Sequence, residues 1–290
     1  DQLILIPAAL PPDKELPEGT PSPERRLEMT AKMADAMAMS GTVEVSDLEL
    51  RRPGKSYTAD TLEQLHRQYP QTKLWLLMGT DMFLTLHLWR EPERIMALAG
   101  IGAFGRTEQD GEELFAPQRA YLKEHFGAEI VTITLPGLVD ISSTRLRAGL
   151  DQGLGRRYLV PAVYGCILMN SLYGVRADLK HLELPELRAC SYYMMKQKRV
   201  PHVMGVEEEA AKLARRWGAD ETLARRAGAL HDCTKYWTLE ENTALCAKYG
   251  VALDELEQKA VKLLHSKTGA CIARYVFGQP EEVCQAIFWH

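Results

Sequence analysis

Short aliphatic runs alternate with helix-length amphipathic stretches over the first half of the chain. Leu3–Ile6 is a continuous aliphatic run stopped by Pro7, the texture of a buried parallel strand. Pro23 to about Ser40 predicts a helix. Val43–Leu50 alternates apolar and polar residues, a strand with one wet face. Thr58–Tyr69 is helical and closed by Pro70. Leu74–Met78 is a second buried strand, and Arg90–Leu98 is helical. Ile101–Phe104 and Ile130–Thr134 are further strands. Ser142 or Ser143 then caps a helix running to Leu150. Strands alternating with helices predict a parallel sheet covered on both faces. Ligands of such sheets sit at the carboxyl ends of the strands.

The pattern changes after about Tyr173, where no further strand is predicted. Val203, Val206, Ala210, Leu213 and Trp217 recur at steps of three and four, as on one face of a helix. Asp220 can cap a helix carrying Leu223, Ala227 and Leu230. Glu240–Tyr249 and Asp254–Phe277 supply two more helical patterns. The expected architecture is an α/β Rossmann-like domain over residues 1–174 and an all-α domain over 184–290. The stretch between them contains Gly174 and little periodicity.

Composition narrows the function. The chain has 290 residues and a formal net charge of -4, so no broad basic field exists to hold nucleic acid. No apolar run reaches the ~18 residues of a membrane span. The six cysteines, Cys166, Cys190, Cys233, Cys246, Cys271 and Cys284, form no C-x-x-C pair. Reduced, mostly buried thiols in a cytoplasmic protein fit best. The chain starts Asp-Gln-Leu without Met and stops within an apolar run, so it is expected to be a piece of a longer protein.

Polar signals cluster where predicted strands end. Pro7–Lys14 is a rigid loop delivering Lys14. Gly54–Thr61 reads G-K-S-Y-T-A-D-T at a helix start. Gly79-Thr80-Asp81 follows a buried strand, Trp89 lies a little further on, and Gly105-Arg106 follows another strand. Ile141–Arg147 reads I-S-S-T-R-L-R. Free N–H groups at a helix start attract phosphate. Ser142, Ser143 and Thr144 add hydroxyls there, and Arg147 can return to the same anion with a planar fork. Each has a plainer reading: a Ser cap with a solvated Arg147, a loop Asp81, a packing Trp89 and a surface Lys14.

The order of these motifs resembles the bacterial nicotinate-mononucleotide adenylyltransferases, of the nucleotidylyltransferase α/β fold, from Asp1 to about Tyr173. The family's P-x-x-x-P-P-H-K is matched by Pro7, Pro11, Pro12 and Lys14, with Asp13 in place of His. Its H-R-x-x-M appears as Arg25-Arg26-Leu27-Glu28-Met29. G-x-S-Y-T-x-D-T, G-x-D, the Trp and I-S-S-T-x-x-R follow in order, then Val160-Pro161 and Tyr173-Gly174. The resemblance implies adenylyl transfer from ATP, with magnesium, to nicotinate mononucleotide. It implies that Trp89 stacks on the nicotinate ring and that Thr58 seats its carboxylate. Gly79 and Asp81 would hold ribose. Ser142, Ser143, Thr144 and Arg147 would hold ATP phosphates, with Lys14 and Arg106 as further phosphate contacts. The family's G-G-x-F-x-P-x-H-x-G-H segment does not occur in this sequence, so this piece is expected to be impaired in the transfer.

In the second half, His231-Asp232 interrupts an apolar helical pattern. Two adjacent ionisable groups are costly there unless paired or metal-bound. His202, His265 and His290 accompany other helical patterns, and imidazole with carboxylate suits divalent iron, manganese or zinc. A lone His is more often structural, but His-Asp with three spaced His residues shifts the balance. The order resembles the HD-domain phosphohydrolases, and within them the symmetrical bis(5′-nucleosyl)-tetraphosphatases. The matching segments are Arg199–Val206, Ala229–Lys235, Leu263–Ala270 and Ala286–His290.

That resemblance implies that His202, His231 and Asp232 bind one metal, with a later Asp beyond His290 as a fourth ligand. His265 and His290 would bind a second, Asp232 would bridge and act catalytically, and Lys235 would neutralise phosphate. The implied metal is iron or manganese rather than zinc. The implied reaction is two-metal hydrolysis of diadenosine tetraphosphate to two ADP, impaired in a piece lacking the later Asp. Two alternatives stay open. One is a related nucleotidylyltransferase using nicotinamide mononucleotide or a coenzyme A precursor. The other is a degenerate nucleotide-sensing module without turnover.

Overall fold

The computed structural model describes residues 2–12, 15–37, 42–107, 110–135, 137, 139 and 141–290. Lys14 and Asp13 lie outside them. In chain order the elements are β1 (Leu3–Leu5), α1 (Pro23–Ala36), β2 (Val43–Val45), α2 (Thr58–Gln68), β3 (Leu74–Gly79), α3 (Thr80–Thr85), α4 (Pro92–Leu98), β4 (Ala99–Phe104), α5 (Glu112–Phe126) and β5 (Ile130–Ile133). Helices follow: α6 (Ser143–Ala148), α7 (Leu154–Tyr158), α8 (Pro161–Met169), α9 (Leu184–Met194), α10 (Val200–Trp217), α11 (Glu221–Leu230), α12 (Leu239–Lys248), α13 (Leu264–Cys271) and α14 (Glu281–Phe288). The expected change from alternating strands and helices to helices alone is present. No helix of the described residues is long and apolar enough to cross a membrane.

Contacts divide the chain into two compact units. One comprises residues 6–16 and 46–145. Its sheet is parallel, in the order β3-β4-β5. β4 lies between the other two strands, and its residues from Ala99 to Ala103 are all buried. Phe83, Leu86, Ile95, Ile101, Phe115 and Leu122 are almost wholly excluded from water. Each contributes roughly 1.5–3 kcal/mol by burial. The carboxyl ends of β3 and β4 open directly into Thr80–Asp81 and Gly105–Arg106.

The other unit comprises residues 1–5, 17–45 and 146–290. β1 pairs in parallel with β2, Leu3 opposite Val43. Ser22 caps α1, accepting from the Arg25 N–H at 3.3 Å, with Pro23 at the first helical position. α8 and α9 cross at close range: a Cβ on Gly165 would lie 2.0 Å from the Ala189 carbonyl oxygen. A single core joins Met29 of α1, Ile167 of α8, Leu187 of α9, Leu230 of α11 and Ile287 of α14.

Three local expectations are corrected. The strand predicted over Val43–Leu50 ends at Val45, because the chain turns on Asp47, whose carbonyl accepts from the Leu50 N–H at 2.9 Å. The pattern over Asp254–Phe277 is not one helix: α13 occupies only its middle and continues into a π-turn over Ile272–Val276. The buried stripe of α10 is Val203, Glu207, Ala211 and Ala214, whereas Leu213 and Trp217 are exposed. Glu207 is drawn inward by ion pairs with Arg188 and Arg225, and the small Ala211 and Ala214 share its stripe.

Candidate functional site

Five of the predicted ligands converge in the helical unit. The first turn of α10 supplies His202. The turn that ends α11 supplies His231 and Asp232, α13 supplies His265, and the residues after α14 supply His290. His231 and Asp232 thus sit on the closing turn of α11, not inside a helix. Asp220 caps the start of α11 through the N–H groups of Thr222 and Leu223, as its sequence position predicts.

Asp232 is 1% exposed and its two oxygens face different partners. Oδ2 lies 3.4 Å from His231 Nε2 and 3.8 Å from His202 Nε2. Oδ1 lies 3.5 Å from His265 Nε2, and His265 Nε2 lies 3.1 Å from His290 Nε2. Two sets of ligand atoms, His202–His231–Asp232 and Asp232–His265–His290, each fall within 4.8 Å. Asp232 belongs to both.

The imidazoles are aimed by one repeated device. His231 Nδ1 lies 2.7 Å from the Gly228 carbonyl, His265 Nδ1 2.7 Å from that of Lys262, and His290 Nδ1 2.6 Å from that of Ile287. A carbonyl only accepts, so each Nδ1–H donates, and each Nε2 turns an electron pair toward Asp232 or its neighbours. Metal-binding histidines are oriented in this way. The facing Nε2 atoms of His265 and His290 repel unless a cation lies between or beside them, so this donor set fits a metal ion.

Electrostatics favour the same protonation states. Burial pushes the Asp232 carboxyl up, but neighbouring His231 and the Arg199 guanidinium together hold it well below the usual carboxylate range. Burial first, and then the Arg199 charge, lower His202. Burial and the Lys235 charge lower His265. Neutral imidazoles are the metal-binding form. Burial pushes the Cys233 thiol up to about 12, which keeps it protonated beside the cluster. A chain of polar groups runs from the His265 backbone. Thr234 Oγ1 lies 3.2 Å from the His265 carbonyl oxygen and 2.8 Å from Thr268 Oγ1, and Thr268 Oγ1 lies 2.8 Å from Asn242 Oδ1, contacts that the two hydroxyl protons share.

Two cations enter this cluster. Lys235, predicted to neutralise phosphate, has Nζ 2.8 Å from His265 Nε2 and 3.8 Å from Asp232 Oδ1. Arg199 Nε donates to Asp232 Oδ2 at 2.6 Å, and Nη2 of the same guanidinium lies 2.5 Å from that oxygen. The sequence assigned Arg199 no role, although its position one turn before His202 was the available signal.

In the sheet unit the predicted groups have local partners. Gly79 and Asp81 meet Arg106: a Cβ on Gly79 would lie 2.8 Å from Arg106 Cδ, and Asp81 Oδ2 accepts from Arg106 Nη1 at 3.1 Å. Asp110, which the sequence did not single out, accepts from Thr80 Oγ1 at 2.6 Å and from the N–H groups of Arg106 and Thr107 at 2.6 and 3.0 Å. The Thr80 bond, with those amides, pulls its carboxyl down to about 2. Thr58 begins α2, close to Ser56, whose buried hydroxyl has no hydrogen-bond partner among the described residues. Trp89 is half-buried against the core that contains Phe83 and Leu86. Ser142 accepts from the Arg145 N–H at 3.1 Å, so it caps α6. Ser142, Ser143 and Thr144 are exposed there, and Arg147 lies further along the same helix.

Comparison with known proteins gives two matches on different parts of the chain. Residues 199–290 match the family model of the HD domain. A probable nicotinate-nucleotide adenylyltransferase of Syntrophotalea carbinolica is 31% identical over 186 residues, covering 60% of this chain and 84% of its own. Another, from Carboxydothermus hydrogenoformans, is 33% identical over 174 residues, covering 60% and 83%. The structure of Plasmodium falciparum nicotinic acid mononucleotide adenylyltransferase complexed with NaAD is similar in fold, with a TM-score of 0.50 at 18% identity. That likeness covers 60% of this chain and 83% of the other.

Proposed function

The chain belongs to the nicotinate-nucleotide adenylyltransferase family and also carries an HD domain, and we propose that it pairs adenylyl transfer with metal-dependent phosphohydrolysis. The first reaction joins ATP, bound with magnesium, to nicotinate mononucleotide, giving nicotinate adenine dinucleotide and pyrophosphate. Trp89 and Thr58 would hold the nicotinate end, Gly79 and Asp81 the ribose, and Ser142, Ser143, Thr144 and Arg147 the phosphates, with Lys14 and Arg106 assisting. Such transfer depends on positioning and charge neutralisation rather than on a covalent intermediate. The observation behind this half is identity spread over five-sixths of the relatives' length. The functional division would fall between residues 174 and 184, and six buried free thiols suit a reducing cytoplasm.

The second activity rests on the ligands gathered around Asp232. His202, His231 and Asp232 would hold one divalent ion and Asp232, His265 and His290 another. An imidazole–carboxylate set without thiolate suits iron or manganese. Metal ions held there would supply Lewis acidity toward phosphate oxygens and water. The protein's own groups orient the imidazoles, exclude water from Asp232 and place Lys235 against substrate charge. Dinucleoside tetraphosphates, with diadenosine tetraphosphate first, are the proposed substrates.

Product analysis tests both halves. With ATP and nicotinate mononucleotide, the turnover that this piece retains should release pyrophosphate and nicotinate adenine dinucleotide, slowly, and nicotinamide mononucleotide should substitute poorly. With manganese and diadenosine tetraphosphate, hydrolysis should be slow as well, with ADP as the only nucleotide product. Equal ATP and AMP would reject symmetrical cleavage.

A further inference from the structure

Resting on the metal-dependent reading above, we propose that Arg199 is a displaceable counter-ion of the first half-site. It must leave Asp232 Oδ2 for a metal ion to be ligated there, and it then receives a phosphate oxygen of the substrate. A carboxylate oxygen offers about two lone-pair positions. Arg199 Nε donates to one oxygen at 2.6 Å, and Nη2 lies 2.5 Å from that same oxygen. That is the same oxygen that faces His202 and His231. Oδ1, facing His265, is left to the other half-site, where Lys235 is no closer than 3.8 Å. With two guanidinium nitrogens within 2.6 Å of Oδ2, a metal ion ligated there would stand almost in contact with a second cation, so one of them must leave.

The pairing also has a purpose in the metal-free chain. A carboxylate that is 1% exposed is costly unless a cation answers it. A guanidinium is always charged and cannot escape by losing a proton. The Arg199 side chain is 29% exposed, so one side of it already reaches solvent. It stands at the residue before α10 begins, where rotation of the side chain disturbs no helical hydrogen bond of its own. Once released, a planar fork beside the ligand cluster suits a phosphate better than any other side chain. Lys235 covers the electron pair of His265 in the second half-site, so the two cations divide the cluster between them.

The test uses the 290-residue chain stripped of metal, titrated first with manganese and then, when loaded, with inorganic phosphate. Arg199→Met should bind manganese about tenfold or more tightly than the parent, because a charge-assisted pair no longer has to be broken. Its melting temperature should rise more on adding manganese, since the metal-free variant leaves Asp232 Oδ2 without its guanidinium. The loaded variant should bind phosphate about tenfold more weakly. Arg199→Lys keeps the charge and loses the two-nitrogen contact. It should bind manganese with intermediate affinity, and it decides the matter should the Met variant fail to fold. Unchanged or weaker manganese binding in either variant, or unchanged phosphate binding by loaded Arg199→Met, would overturn the proposal while leaving the metal centre intact. A parent chain that binds no manganese overturns both readings.

Discussion

The two candidate sites differ in how far they are assembled. Around Asp232, side chains from α10, the end of α11, α13 and the residues after α14 lie within ligand distance of one another. Three of the four imidazoles are also fixed by backbone carbonyls. In the sheet unit, the polar groups at the strand ends have local partners instead: Asp81 pairs with Arg106, and Ser142 caps its own helix. The difference suits the ligands proposed for the two sites. A metal ion is small and needs several donors within a few ångström, so the fold must bring them together. A dinucleotide is long, and its ring, ribose and phosphates can each be met by a separate loop. The metal centre should therefore fail abruptly when one group is removed, and the nucleotide loops gradually.

The abrupt failure is tested at Asp232. Asp232→Asn should lower manganese affinity by more than about a hundredfold, beyond the loss typical for a merely supporting residue. Asp232 is the one carboxylate common to both half-sites, so calorimetry should show both sites lost together. Loss of a single site would show that the halves are independent. Next in size is Thr268→Val, which breaks the buried chain that links Asn242, Thr234 and the His265 carbonyl. Manganese binding should weaken about tenfold, in the range expected for a group acting through a ligand. A change in stability without a change in manganese affinity would make the network purely structural.

Much of this contrast was legible in the sequence. Alternating aliphatic runs and amphipathic stretches are local patterns, and they located β3, β4 and β5 to within about two residues. The resemblance of the His and Asp segments to the HD domain likewise implied the five side chains that converge. What escaped depends on partners distant in the chain. Arg199 meets Asp232 across 33 residues, and its place one turn before His202 points to the site without naming that partner. The buried stripe of α10 was misplaced because Glu207, a charged residue, is buried by Arg188 and Arg225 rather than by apolar surface. Asp110 is visible only once β3 and β4 have brought Thr80 beside it.

Gradual failure is expected in the nucleotide loops. Trp89→Ala should weaken nicotinate mononucleotide about two- to tenfold, the worth of one aromatic contact, and leave ATP affinity nearly unchanged. Trp89 also packs on the core, so some stability should be lost in the same variant. A fall in melting temperature with unchanged mononucleotide affinity would return Trp89 to packing alone. A collapse of both substrate affinities would show the loops to be as interdependent as the metal cluster.

The smallest effect should come from Asp110, and it tests whether any part of the nucleotide region is rigid before substrate arrives. The carboxylate is held by the Thr80 hydroxyl and by two amides that follow β4, and its pKa falls from 3.8 to about 2. A depressed carboxyl means that the unfolded chain binds the proton first as pH falls. The stability gained is complete above the unfolded value and is lost as pH drops through the folded one. Wild type should therefore exceed Asp110→Asn in stability at pH 5, and the gap should narrow between about pH 4 and pH 2. The Thr107 amide resonance should follow the same titration, since that N–H donates to the carboxylate. A midpoint near the ordinary aspartate value would mean that the turn after β4 is loosely held. An acid-shifted midpoint would locate the preformed part of this region in the scaffold turn behind Asp81 and Arg106, leaving the substrate-facing groups to be gathered by the ligand itself.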